Sequence, residues 1–62
     1  MKLNKIQIQI FIKLAQDQQL EVDDYLKRFS RKYVGRTIST LENVSEDEGD
    51  AWITKAYLES LA

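Results

Sequence analysis

Sixty-two residues with nine Lys or Arg, ten Asp or Glu and a net charge of −1 leave room for one small domain over residues 1–62. The chain has neither Cys nor His, which removes a disulfide frame, a zinc centre of the usual kind, a thiol nucleophile and an imidazole base. Apolar packing must therefore supply the stability, and a cysteine-free chain without a secretory signature is expected in the cytoplasm.

The spacing predicts an all-α, compact three-helix bundle, with helices at about 4–19, 22–34 and 45–61 and a short turn or helical piece at 37–42. At the start of the first helix Asn4 stands as a cap, Gln7 occupies the capping-box position, and Leu3 and Ile8 have hydrophobic-staple spacing. Lys2 and Lys5 precede an Ile-rich run, but Gln7, Gln9 and Lys13 make it too short and too polar for a signal peptide or a membrane span. Residues 5–13, Lys-Ile-Gln-Ile-Gln-Ile-Phe-Ile-Lys, also alternate strictly, the pattern of a half-buried strand. A lone strand needs a partner, so this alternative implies a dimer built on a two-stranded ribbon. Gly35-Arg36-Thr37-Ile38-Ser39 faintly resembles the inter-helix turn of ribbon-helix-helix repressors. No turn residue separates the alternating run from Leu14-Ala15-Gln16, which favours the helix.

The second helix carries the clearest stripe. Val22, Tyr25, Leu26, Phe29 and Tyr33 fall on one side at 100° per residue, while Lys27, Arg28 and Arg31 cluster on the other. Asp23 and Asp24 suit the positive end of the helix dipole and stand four residues before Lys27 and Arg28, in the acid-first order of stabilising pairs. Gly35 is the expected terminator. Beyond it Ile38, Leu41 and Val44 recur every three residues, as a tight turn tucked under the bundle would require. The third helix opens on the capping box Ser45-x-x-Glu48, with Glu46 and Asp47 adding acid to its first turn. Gly49, Ile53, Ala56 and Ser60 share a stripe flanked by Trp52, Tyr57 and Leu61, and a glycine inside a helix implies a bulky neighbour at position 49.

Charge is polarised along the chain. Residues 1–36 hold eight basic and four acidic side chains, whereas residues 37–62 hold one and six. Lys27, Arg28, Arg31, Lys32 and Arg36 form the candidate site for a partner or a nucleic acid. The apolar residues of the first helix spread over roughly 240° of the wheel, wider than one core contact needs. Some isoleucine should then stay exposed, with Ile8 and Ile12 on one flank and Ile6 on the other. Ile8, Ile12 and Trp52 form the candidate apolar interface.

The string Asn4-x-x-Gln7-x-x-Ile10-x-x-x-Leu14-Ala15, then Tyr25-Leu26, the Gly35 turn with Ile38 and Leu41, and Ser45-x-x-Glu48-Gly49-x-x-x-Ile53 covers almost the whole chain. It resembles the small three-helix, ubiquitin-associated-like module of phage and prophage proteins, often found at the C-terminus of single-strand annealing recombinases. The family pattern differs at several points. Asn4 stands for Thr, Val44-Ser45 for Leu-Thr, Gly49 for Ala, and Gln18-Gln19-Leu20 lacks the usual glycine. The resemblance implies a non-catalytic docking module of DNA recombination or replication, binding a protein partner, such as the acidic tail of a single-strand-binding protein, or DNA weakly.

Composition and spacing set the remaining expectations. A net charge near zero, with Tyr25, Phe29 and Tyr33 on the core face, speaks against strong DNA binding. The expected chain has no catalytic residues, metal, cofactor, small-molecule substrate or membrane contact, and is a monomer rather than a homodimer. Sixty-two residues hardly enclose a water-excluded pocket, and Glu46–Asp50 lacks the ligand alternation of a calcium loop. The alternative function is a small dimeric DNA-binding regulator of the ribbon-helix-helix kind, whose duplex binding would require the dimer.

Overall fold

A computed structural model describes residues 2–61 and is an all-α, three-helix bundle: α1 (Lys5–Asp17), α2 (Val22–Val34) and α3 (Glu46–Leu61), with a 3₁₀ turn at Leu41–Asn43 before α3. No helix among the described residues is long and apolar enough to cross a membrane.

Local chemistry at the start of α1 works as the sequence implies. The Asn4 side chain accepts the Gln7 backbone N–H at 2.9 Å, and the Gln7 side chain accepts the Asn4 N–H at 3.0 Å, so two of the orphan donors of the first turn are satisfied reciprocally. With this start fixed, residues 5–13 are helical, and the ribbon architecture, which needs them extended, does not apply. The helix stops two residues before the expected 19. Gln19 takes a left-handed conformation at φ +59°, its N–H reaches the Gln16 carbonyl at 2.9 Å, and the Leu20 N–H reaches Ala15 at 2.9 Å. That is a Schellman termination with glutamine where glycine is usual. A side chain in this region carries a steric penalty that glycine avoids, so α1 ends here against local preference.

Helix α2 spans the expected residues and closes on Gly35 at φ +78°, whose N–H bonds the Arg31 carbonyl. Its inner face is Tyr25, Leu26 and Tyr33, all buried, with Val22 and Phe29 half-buried against the core. Ser30 is buried with them. Its Oγ accepts the Ile38 N–H at 2.9 Å, which binds the segment after α2 back onto the helix that precedes it. Ile38 and Val44 are buried and Leu41 packs on the core, so the three-residue period does tuck this segment underneath.

The start of α3 is a second reciprocal capping box: Glu48 N–H donates to Ser45 Oγ at 3.1 Å, and Ser45 N–H donates to Glu48 Oε1 at 3.2 Å. An antiparallel bridge joins Lys2 to Ser45. Helices α1 and α3 lie parallel, since Gln7 meets Asp50 near their starts while Leu14 and Asp17 share a cleft with Ala56 and Ser60 near their ends. The bulky neighbour implied by Gly49 is Leu3, whose Cδ2 occupies the space a Cβ would take, with the Gln7 amide beside it.

Trp52 is the centre of the core. Its indole is fully buried, meets Phe11 edge-on at 5.0 Å, stacks on Tyr33 at 5.2 Å, and donates Nε1–H to Tyr25 Oη at 3.1 Å. The expectation of an interface role for Trp52 is therefore corrected: its polar N–H is satisfied internally and no part of the ring faces solvent. The cause lies in α3, whose apolar residues surround the axis, with Tyr57, Leu58 and Leu61 exposed at 59, 62 and 82%. A wheel without one dominant stripe does not single out the inward residue.

Candidate functional site

The five bases of the candidate site do not form one patch. Lys27, Arg28 and Arg31 lie exposed on the outer side of α2, because the inner side is consumed by the aromatic core. Lys32 turns instead to α3, where its Nζ stands 2.9 Å from Glu59 Oε2 and 5.4 Å from the centroid of the Tyr33 ring. Arg36 is bound to the other end of α3. Its Nε and Nη2 donate to the two Glu48 oxygens at 3.0 and 2.7 Å, and Nη2 also meets the Asn43 carbonyl at 2.7 Å.

The acidic second half of the chain thus neutralises part of the basic first half. Glu48 is held by three groups, and the Arg36 guanidinium, with help from the Ser45 backbone and hydroxyl, lowers its pKa from 4.5 to about 2. Lys32 likewise lowers the Glu59 carboxyl, against a partial desolvation. Burial, and then the Glu59 carboxylate that accepts its hydroxyl at 3.3 Å, push the Tyr33 phenol up to about 12. The expected partners Asp23 and Asp24 do not close onto Lys27 and Arg28: among the described residues the ion pairs are Lys32–Glu59 and Arg36–Glu48. Surface pairs four residues apart gain little over hydration, and long side chains keep their freedom.

A pH prediction follows from Glu48. Its carboxyl is more acidic in the folded protein than in the unfolded chain, so it stabilises the fold fully above about pH 4.5 and loses that contribution as the pH falls toward about 2. Thermal melts from pH 7 to pH 2 should show the wild type losing stability across this window. Glu48→Gln should be less stable at pH 7 and show a visibly flatter acid limb. Parallel acid limbs for the two proteins would refute the assignment.

On α1, Ile6 is 70% exposed and Ile12 39%, while Ile8 is half-buried against the core. Of the candidate apolar interface, Ile12 alone presents substantial surface. Among the described residues no group of three Asp or Glu side chains could hold a metal ion.

Two residues that matter for the site were not anticipated in these roles. Glu59 gathers Lys32 and the Tyr33 hydroxyl, and Lys55 Nζ donates to the Tyr33 carbonyl at 3.1 Å, covering the last turn of α2. Their signal in the sequence is only a charge on the weakly striped α3, whose partners lie more than twenty residues away. Compared with family models, with curated proteins and with solved structures, the chain finds no match.

Proposed function

We propose that the chain is a non-catalytic docking module whose outer α2 face, Lys27, Arg28 and Arg31, receives an acidic peptide segment of a protein partner. One observation carries the reading: these three bases stand on a helix anchored by its aromatic face, and no described carboxylate pairs with them, whereas Lys32 and Arg36 are already satisfied. A rigid platform spends little ordering entropy when it binds, and guanidinium groups engage carboxylates with directional, charge-assisted hydrogen bonds.

Resemblance to the ubiquitin-associated-like modules of phage recombination proteins favours the tail of a single-strand-binding protein as the peptide, in a cytoplasmic setting of recombination or replication. An acidic peptide is preferred to DNA for two reasons. Three unpaired bases release few counterions, and the aromatics that could stack on bases are committed to the core.

The test is an amide-shift titration with an acidic tail peptide at millimolar concentration. Arg28 and Arg31 amides should move in a saturable, salt-sensitive way, and the double variant Arg28→Ser, Arg31→Ser should weaken binding about tenfold, each lost charge-assisted contact being worth roughly 0.5–1 kcal/mol at an exposed site. Shifts that stay away from Arg28 and Arg31 would refute the assignment. A duplex DNA oligonucleotide that displaces the peptide at equal concentration would replace the peptide by a nucleic acid.

A further inference from the structure

Helix α3 keeps a mainly apolar stripe exposed. Lys55 and Glu59 turn to α2 and Gly49 lies against Leu3, which leaves Ala51, Thr54, Leu58 and Leu61 on the arc outside both contacts. All four are exposed, and they recur at spacings of three, four and three residues, the seam against which a second helix packs. Exposed Tyr57 borders it.

Beside this stripe runs a charged edge of α1. Gln7 and Leu14 face α3, and further round, away from the core, stand Asp17 and Lys13. These two carry opposite charges four residues apart, and neither has an ion-pair partner among the described residues. An acidic partner would meet Asp17 and a basic one Lys13, whereas a surface with the same two charges in reverse order would satisfy both.

We infer that this face binds a second copy of the chain, the helices of the two copies running antiparallel about a two-fold axis. An axis at the level of Ala15, midway between Lys13 and Asp17, sets each of these residues opposite the other's counterpart in the partner copy. The register of α1 and α3 fixes the rest. Gln7 bonds Asp50, and Asp17 shares its cleft with Ser60, so each level of α3 carries the residue 43 positions after that of α1. Leu58 is therefore level with Ala15 and meets its counterpart on the axis, with Leu61 beside Thr54 of its partner. One axis thus serves the charges and the apolar stripe together, a coincidence that no other occupant would require.

A net charge of −1 adds little repulsion between copies. A molecule of 30 × 23 × 20 Å can cover roughly 600 Å² per copy on such a face, the low end of specific interfaces. The expected monomer is then the dilute form, and the dimer appears at high concentration. This inference is independent of the acidic-peptide reading, which uses the outer face of α2.

Sedimentation equilibrium of the full chain from about 20 μM to about 2 mM is the test. The average mass should rise from 7.3 kDa toward twice that value and stop there. Leu58→Lys, at an exposed position, should keep the wild-type circular dichroism and stay monomeric throughout. Lys13→Asp should weaken the dimer about tenfold, because each dimer contains the ion pair twice, and the swap Lys13→Asp with Asp17→Lys should restore it. A monomer mass at the highest concentration would overturn the inference and leave the stripe to a different protein. Growth past the dimer, undiminished association of Leu58→Lys, or a swap no stronger than Lys13→Asp alone would overturn it as well.

Discussion

Trp52→Ala is expected to abolish the cooperative fold at room temperature. Removing a buried indole typically costs about 3–5 kcal/mol through lost transfer energy and the cavity left behind. A core in a chain this short rarely supplies more than about that much in total. Here the loss is compounded, because the same ring packs on Phe11 and Tyr33 and satisfies Tyr25 Oη, so residues of α1 and α2 lose their common neighbour together. Far-UV circular dichroism with a urea titration checks it: the variant should show no sigmoidal transition. Trp52→Phe, which keeps an aromatic body and removes the N–H donor, should retain a transition at lower urea. A cooperative Trp52→Ala protein with a midpoint near the wild type would contradict the placement of the indole.

The second large effect belongs to Gln7, a buried polar residue with every side-chain bond made. Oε1 takes the Asn4 N–H, while Nε2 donates to the Glu46 carbonyl at 3.1 Å and to Asp50 Oδ1 at 2.7 Å. Gln7→Leu keeps the volume and removes the bonds, leaving the Asn4 N–H without its acceptor. The carboxylate bond is of the charge-assisted kind, so a loss of about 2–3 kcal/mol is expected. For a domain of this size that corresponds to a fall in Tm of roughly 10–20 °C. Asp50→Asn, which keeps an acceptor for the same donor, should cost far less. Equal effects of the two substitutions would mean that the amide contributes by packing alone.

Gln7 also marks where the sequence stops being legible. Its capping-box role is read from three residues of spacing, and both capping boxes, the Gly35 terminator and the α2 stripe appear in the structure at the expected positions, because each depends on neighbours within one turn. Its partners on α3 stand 39 and 43 residues away, and nothing local announces them. Ser30 belongs to the same class: a hydroxyl on a core face reads as a defect until the Ile38 N–H arrives from beyond Gly35. Gln19 fails for another reason. Only glycine advertises a left-handed residue, so the end of α1 is set by carbonyl bonds that composition does not reveal.

The candidate site was partly legible. Exposure of Lys27, Arg28 and Arg31 follows from the α2 stripe and is found. Capture of Lys32 by Glu59 and of Arg36 by Glu48 depends on how α3 approaches α2, which a wheel of one helix does not contain. An interface role for Trp52 fails for the same reason, since its burial comes from three elements meeting on one ring.

Seen from the growing polypeptide, the position of that ring has a kinetic meaning. By the time Gly35 has been added, the chain carries two amphipathic segments with nothing to fill the space between them, and the piece that does so arrives only with α3. The packed state is then expected only once α3 has emerged, because the first two helices lack the ring around which they meet. Truncations that spare α1 and α2 but remove α3 should accordingly behave as sticky, protease-sensitive peptides and not as a smaller stable domain.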